Sequence, residues 1–109
     1  MFARVNELEV SPDRISDVER VVRDIVHPAI SAEPGYVGYI VLGDSRTGRA
    51  LGVTLWDTEP ARKSSDVRAR KIRPRVEAAT GGTMRPVDPY TVLFFDVHHA
   101  NAEATAPAA

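Results

Sequence analysis

Cysteine is absent from the 109 residues, which excludes a disulfide framework, a thiolate zinc or iron–sulfur site and a cysteine nucleophile. Long apolar runs are missing too. No stretch approaches the roughly 20 residues of a membrane-spanning helix, and the opening Met1-Phe2-Ala3-Arg4-Val5-Asn6-Glu7 meets charge too early for a secretory leader. The formal net charge is only -1, without the strongly basic footprint of a nucleic-acid binder. There is no Gly-x-Gly-x-x-Gly, no P-loop and no Gly-x-Ser-x-Gly, and His27, His98 and His99 do not have metal-ligand spacing. The expectation is one small cytoplasmic domain with no metal, no membrane and no nucleic acid among its partners.

What is present is a regular alternation of strand and helix signals. Residues 2–10 alternate as a strand, with Phe2, Arg4, Asn6 and Leu8 on one face and Ala3, Val5, Glu7 and Glu9 on the other. Ser11-Pro12-Asp13 is a helix start: a capping hydroxyl, a proline where its missing N–H does no harm, and an acid at the positive end. Ile15, Val18, Val22, Ile25 and Ala29 follow at helical spacing, with Val21 and Val26 widening the stripe. Pro28 predicts a kink or an end near His27. Residues 36–43 and 49–56 read as strands joined by the hairpin loop Asp44-Ser45-Arg46-Thr47-Gly48. Thr58-Glu59-Pro60 restarts a helix, anchored weakly by Ala61, Val67 and Ile72 and expected to break at Pro74, with a last turn closing at Gly81-Gly82. Residues 86–89 read as irregular, and residues 90–97 as a final strand buried on both sides.

The string βαββαβ predicts an α+β fold, the ferredoxin-like plait, with a four-stranded antiparallel sheet and both helices on one face. It occupies residues 1–98, and the Ala-rich residues 99–109 have nothing to bury and read as a disordered tail. The middle strands are apolar on both faces, although helices can cover only one. A second sheet supplied by a twofold-related copy resolves this, so a homodimer is expected.

The stretch Glu33-Pro34-Gly35-Tyr36-Val37-Gly38-Tyr39, the hairpin, and Ala50-Leu51-Gly52-Val53-Thr54-Leu55-Trp56-Asp57-Thr58-Glu59 resemble the antibiotic biosynthesis monooxygenase domain of the dimeric α/β-barrel superfamily. The resemblance implies pairing of two sheets into a dimeric α/β barrel, with a small aromatic molecule bound between sheet and helices. Proteins that the chain resembles include cofactor-independent oxygenases of phenolic and polyketide quinone precursors, haem-degrading enzymes and many of unknown role. Asn6 and Trp56 match pocket positions of that family and are the candidate catalytic residues. The quinone-forming type carries an Asn four residues before the Trp, where Gly52 stands here. The haem-degrading type carries an axial His near Ser65, Asp66 and Val67, which makes haem the least favoured reading and leaves no cofactor expected.

Cofactor-free oxygenation requires that the substrate be held away from water and that its enolate or phenolate be stabilised by aimed hydrogen-bond donors. Asn6, the Trp56 N–H, Tyr36 and Arg4 are suitable donors. Arg4 can equally reach solvent past a sheet edge, Asn6 can bond to backbone, and Trp56 can be core. Gly38, read as in phase with Tyr36, and Gly52 leave room either for a ligand or for close packing. The candidate substrate-binding set is therefore Arg4, Tyr36, Gly38 and Gly52, with Tyr36 and Tyr39 expected on opposite faces. The alternative function is a non-catalytic ligand-binding or accessory dimer. The seven basic residues between Arg62 and Arg75 leave the rest of the chain net acidic by about seven charges and read as a solvated helical surface.

Overall fold

The computed structural model describes residues 1–87 and 89–98. The tail assigned to residues 99–109 lies outside the described residues. Strand β1 (Phe2–Glu9) leads into a helical run at residues 12–30, here α1, followed by the hairpin β2 (Tyr36–Asp44) and β3 (Arg49–Trp56). Helices α2 (Glu59–Ser64) and α3 (Asp66–Thr80) precede two short strands, β4 (Thr83–Pro86) and β5 (Tyr90–Thr91). The sheet is antiparallel in the order β2-β3-β1-β4, with β5 also pairing β1. This is the ferredoxin-like plait.

The core lies between the helices and one sheet face. Leu8, Ala50 and Trp56 from the sheet meet Val18, Val21, Val26 and Ile30 of α1 and Ile72 and Val76 of α3. The first helix does not end at Pro28. It begins as a 3-10 turn (Pro12–Arg14), with Arg14 N–H bonded to the Ser11 carbonyl rather than capped by the Ser11 hydroxyl. It then passes through a π turn, Val22–Val26, in which His27 N–H reaches back five residues to the Val22 carbonyl. A π turn inserts one residue into the helical repeat. From the end of that turn the fully buried positions are Val26, already read as widening the stripe, and Ile30, one residue beyond the expected Ala29, while Ile25 and Ala29 are only partly buried.

Two further expectations are corrected. Pro74 sits inside α3 without ending it. It and Arg70, whose carbonyl loses the N–H, lie on the exposed side, while buried Ala69, Ile72, Val76 and Thr80 hold the helix on both sides of the proline. The last strand is also not residues 90–97. Thr83–Pro86 takes the place beside Asn6–Glu9, immediately after the Gly81-Gly82 turn, leaving only Tyr90 and Thr91 to pair with Phe2 and Ala3. Leu93 and Phe94 are consequently 94% and 87% exposed rather than buried.

Among the described residues, no helix covers the second face of the sheet. Val37, Ile40 and Leu42 of β2 are exposed there, Leu42 at 56%. Beside them Glu7 bridges Arg49 of β3 (3.2 Å) and Arg85 of β4 (3.0 Å). Hydrogen bonds from Arg85 and then Arg49 hold the Glu7 carboxyl below the usual carboxylate range.

Two outcomes follow from these contacts. A carboxylate whose folded pKa is depressed stabilises fully above its unfolded pKa, and loses that contribution as pH falls through its folded value. Glu7→Gln should therefore flatten the acid limb of a melting-temperature profile taken from neutral to strongly acidic pH. Gly48 closes the hairpin at φ +79°, and a Cβ there would collide with the Val10 carbonyl oxygen, which accompanies an amide bonded to the Gly48 carbonyl at 2.8 Å. Gly48→Ala should lose at least about 1–3 kcal/mol in chemical denaturation.

Candidate functional site

A cleft of about 560 Å³ opens between α1 and the helix-covered face of β2. Val18, Val22, Val41 and Ala50 form its apolar walls, Tyr36 and Tyr39 its aromatic side, and Glu19, Arg23 and His27 belong to its lining from α1. A smaller cavity of about 30 Å³ shares Tyr39, Val18, Val22, Val41 and Ala50 with it and adds Asn6 and Gly52. The larger space has the size of ordinary small-molecule sites.

Strand β2 explains why both tyrosines face this cleft. Tyr36 pairs with Trp56, yet Gly38 pairs with Leu55, so two steps along β2 match one along β3. This bulge turns the rest of the strand over. Tyr36, Tyr39, Val41 and Gly43 thereby share the helix face with Trp56, Thr54, Gly52 and Ala50. The expected opposition of Tyr36 and Tyr39 is thus corrected, and Tyr39 is a cleft residue that plain alternation misses. Gly38 moves to the opposite face, where a Cβ would meet Leu55 at 3.7 Å. An isolated glycine within a strand pattern was the available signal, because glycine there often marks a bulge.

Trp56 is wholly buried, and its Nε1 donates to Thr54 Oγ1 at 3.0 Å. Its ring meets Tyr36 edge-on (5.9 Å, 79°), and Tyr36 meets His27 edge-on (6.2 Å, 70°). The three rings form a ladder from core to cleft. Asn6 is half-buried on β1, opposite Gly52 on β3 and Pro86 on β4. Gly52 is covered by the Tyr39 ring: a Cβ there would stand 3.3 Å from the phenol oxygen and 3.4 Å from Cε1.

Arg4 shares the face of Asn6, but its guanidinium turns toward the α2–α3 junction. It donates to the Arg62 carbonyl at 2.6 Å and to Ser65 Oγ, and pairs with Asp66. Burial pulls its pKa below the ordinary arginine value, and Asp66 pushes it back up. The structure therefore brings Tyr36 to the cleft and Asn6 and Gly52 to the small cavity beside it, places Trp56 behind Tyr36, and sets Arg4 and Gly38 elsewhere. Burial pushes the Tyr39 phenol up to about 12 and raises the Tyr36 phenol as well, so both remain neutral hydrogen-bond donors in physiological conditions. Among the described residues, no group of three or more His, Cys, Asp or Glu side chains is placed to hold a metal ion.

The site is thus an aromatic-walled cleft with neutral donors. Solved structures with the same fold include a monooxygenase from Streptomyces coelicolor in complex with nanaomycin D (TM-score 0.68, 16% identity, 89% of this chain and 91% of that one). SnoaB, a cofactor-independent oxygenase from Streptomyces nogalater, aligns with a TM-score of 0.59 and 16% identity over 86% of this chain and 94% of its own. A dimeric ferredoxin-like protein from an uncultured marine organism aligns at 0.63 and 9% identity, over 89% and 98%. At these identities the likeness concerns the fold alone. In sequence, the uncharacterized protein Rv2558 of Mycobacterium tuberculosis is 29% identical over 103 residues, which is 94% of this chain and 43% of that protein. The chain spans less than half the length of the curated relatives it matches. Residues 1–69 match the family model described as antibiotic biosynthesis monooxygenase, and the chain belongs to that family.

Proposed function

We propose that the protein is a small cofactor-independent oxygenase acting on an aromatic or polyketide-type substrate held in the cleft between α1 and β2. The observation that carries this reading is the cleft itself. It is a concave apolar space, aromatic along one side, adjoined by a small cavity that Asn6 helps to line. Family membership supports it.

In this reading a flat substrate lies between the α1 valines and Tyr36, and loses a proton to give an enolate or phenolate. Donors facing the resulting oxyanion lower the energy of that anion, Asn6 among them. Electrons pass from the anion to O2. A CH2 group becomes C=O, one oxygen atom enters the substrate, and the other leaves as water with the two hydrogens. The substrate is the reductant, so no cofactor enters the balance. Trp56 acts through Tyr36, because its N–H is already given to Thr54. Arg4 contributes by fixing β1 against α2 and α3, and Gly38 lies at the bulge that aims the tyrosines. The second reading, a ligand-binding dimer without turnover, is favoured by that engaged indole and by the missing side chain at Gly52.

A second copy of the chain covers the bare sheet face in this proposal, burying Ile40 and Leu42 together with the outlying Leu93 and Phe94. The reading places the assembly in the cytoplasm, and among the described residues no helix is long and apolar enough to cross a membrane.

Oxygen-electrode traces with anthrones and hydroquinones should show uptake that falls at least tenfold in a folded Asn6→Ala variant. Saturable binding without uptake would select the ligand-binding reading, and uptake unchanged by Asn6→Ala would move the site. Sedimentation equilibrium should give twice the 11.9 kDa chain mass, and a stable monomer at micromolar concentration would remove the dimer.

A further inference from the structure

Gly52 and Tyr39 form a device that the reading above does not use. The middle of the sheet carries a row of Val41, Gly52 and Asn6, in register across β2, β3 and β1. Gly52 contributes no side chain, and the Tyr39 ring, two residues before Val41, lies over it. The phenol oxygen is 3.3 Å from where a Cβ would begin. Tyr39 and Asn6 are thus brought to one 30 Å³ cavity whose remaining lining is dominated by Leu8, Val18, Val26 and Met84. Among the described residues, the side-chain hydrogen bonds include none from the Tyr39 hydroxyl or the Asn6 amide, and both residues are half-buried rather than sealed from water. Polar groups facing an apolar space gain from an acceptor placed there.

The cavity volume narrows what that acceptor can be. Thirty cubic ångströms holds a group about the size of one water molecule, enough for a single oxygen substituent and too small for a ring. The ring fits the adjoining 560 Å³ cleft, and Tyr39 lines both spaces. Both Tyr39 and Asn6 are neutral donors, and a donor pair in apolar surroundings favours an acceptor that carries charge.

We propose that Tyr39, paired with Asn6 and admitted by Gly52, is the hydrogen-bond donor to the anionic oxygen of a phenolate or enolate whose ring occupies the cleft. This rests on the reading of the cleft as the substrate site and names the subsite within it. Burial keeps the phenol protonated, so it donates rather than competes for a proton.

The test uses 4-nitrophenol as the probe and the full chain, without relying on turnover. Absorbance titration of the bound probe should show wild-type protein holding the phenolate at least about tenfold tighter than the phenol, which is a lowering of the probe's pKa by one unit or more. Tyr39→Phe keeps the ring and should abolish that preference, leaving affinity for the neutral probe within about threefold. Gly52→Ala, which presses on the phenol oxygen, should weaken the preference too. Glu19, Arg23, His27 and Tyr36 also line the cleft, so Arg23→Gln, His27→Gln and Tyr36→Phe are titrated beside it as competing sources of the preference. A preference intact in Tyr39→Phe, or lost only in one of those competing variants, overturns the proposal while the cleft reading stands. Absence of any binding to the wild type overturns both.

Discussion

Removal of the Trp56 indole from water organises the candidate site. A ring of that size contributes a large share of a small core, and its one polar atom is satisfied two residues away by Thr54. With the indole fixed at the end of β3, Tyr36 is held against it edge-on and His27 against Tyr36. The aromatic side of the cleft is therefore continuous with the core. Disturbing the indole would misplace Tyr36 even though the indole has no exposed surface.

Two one-residue insertions face each other across the same space. In α1 the π turn advances the buried stripe by one position, and in β2 the bulge turns the chain over after Tyr36. Each breaks the period of its element, and both line or adjoin the cleft. Regular geometry would have offered a tyrosine to each face of the sheet. The irregular strand offers both to the ligand side.

Periodicity therefore read the fold well and the site in part. The element order, the hairpin, the Thr58 cap and the two-sided apolarity of the sheet were legible because each depends on local pattern and turn chemistry. Tyr39 was not, because alternation assumes an unbroken strand and Gly38 was weighed as space rather than as a bulge. Arg4 stood on the right face, but its direction depends on Ser65 and Asp66, some 60 positions away, a distance no local rule spans. Residues 90–97 misled for a related reason. Their apolarity indicates burial, but Thr83–Pro86 already pairs Asn6–Glu9 and leaves only Tyr90 and Thr91 a place beside Phe2 and Ala3, so that Leu93 and Phe94 stand exposed among the described residues.

The bulge also bears on how such a strand could vary in length over time. Point substitutions at Tyr36 or Tyr39 alter one wall of the cleft. Loss of the codon for Val37 would instead remove the extra residue, and Tyr36 and Tyr39 would then stand two apart with their pairing to Trp56 and Thr54 unchanged. Both rings are thus aimed by their partners on β3, and the chain can shorten at the bulge without turning either ring away from the helix.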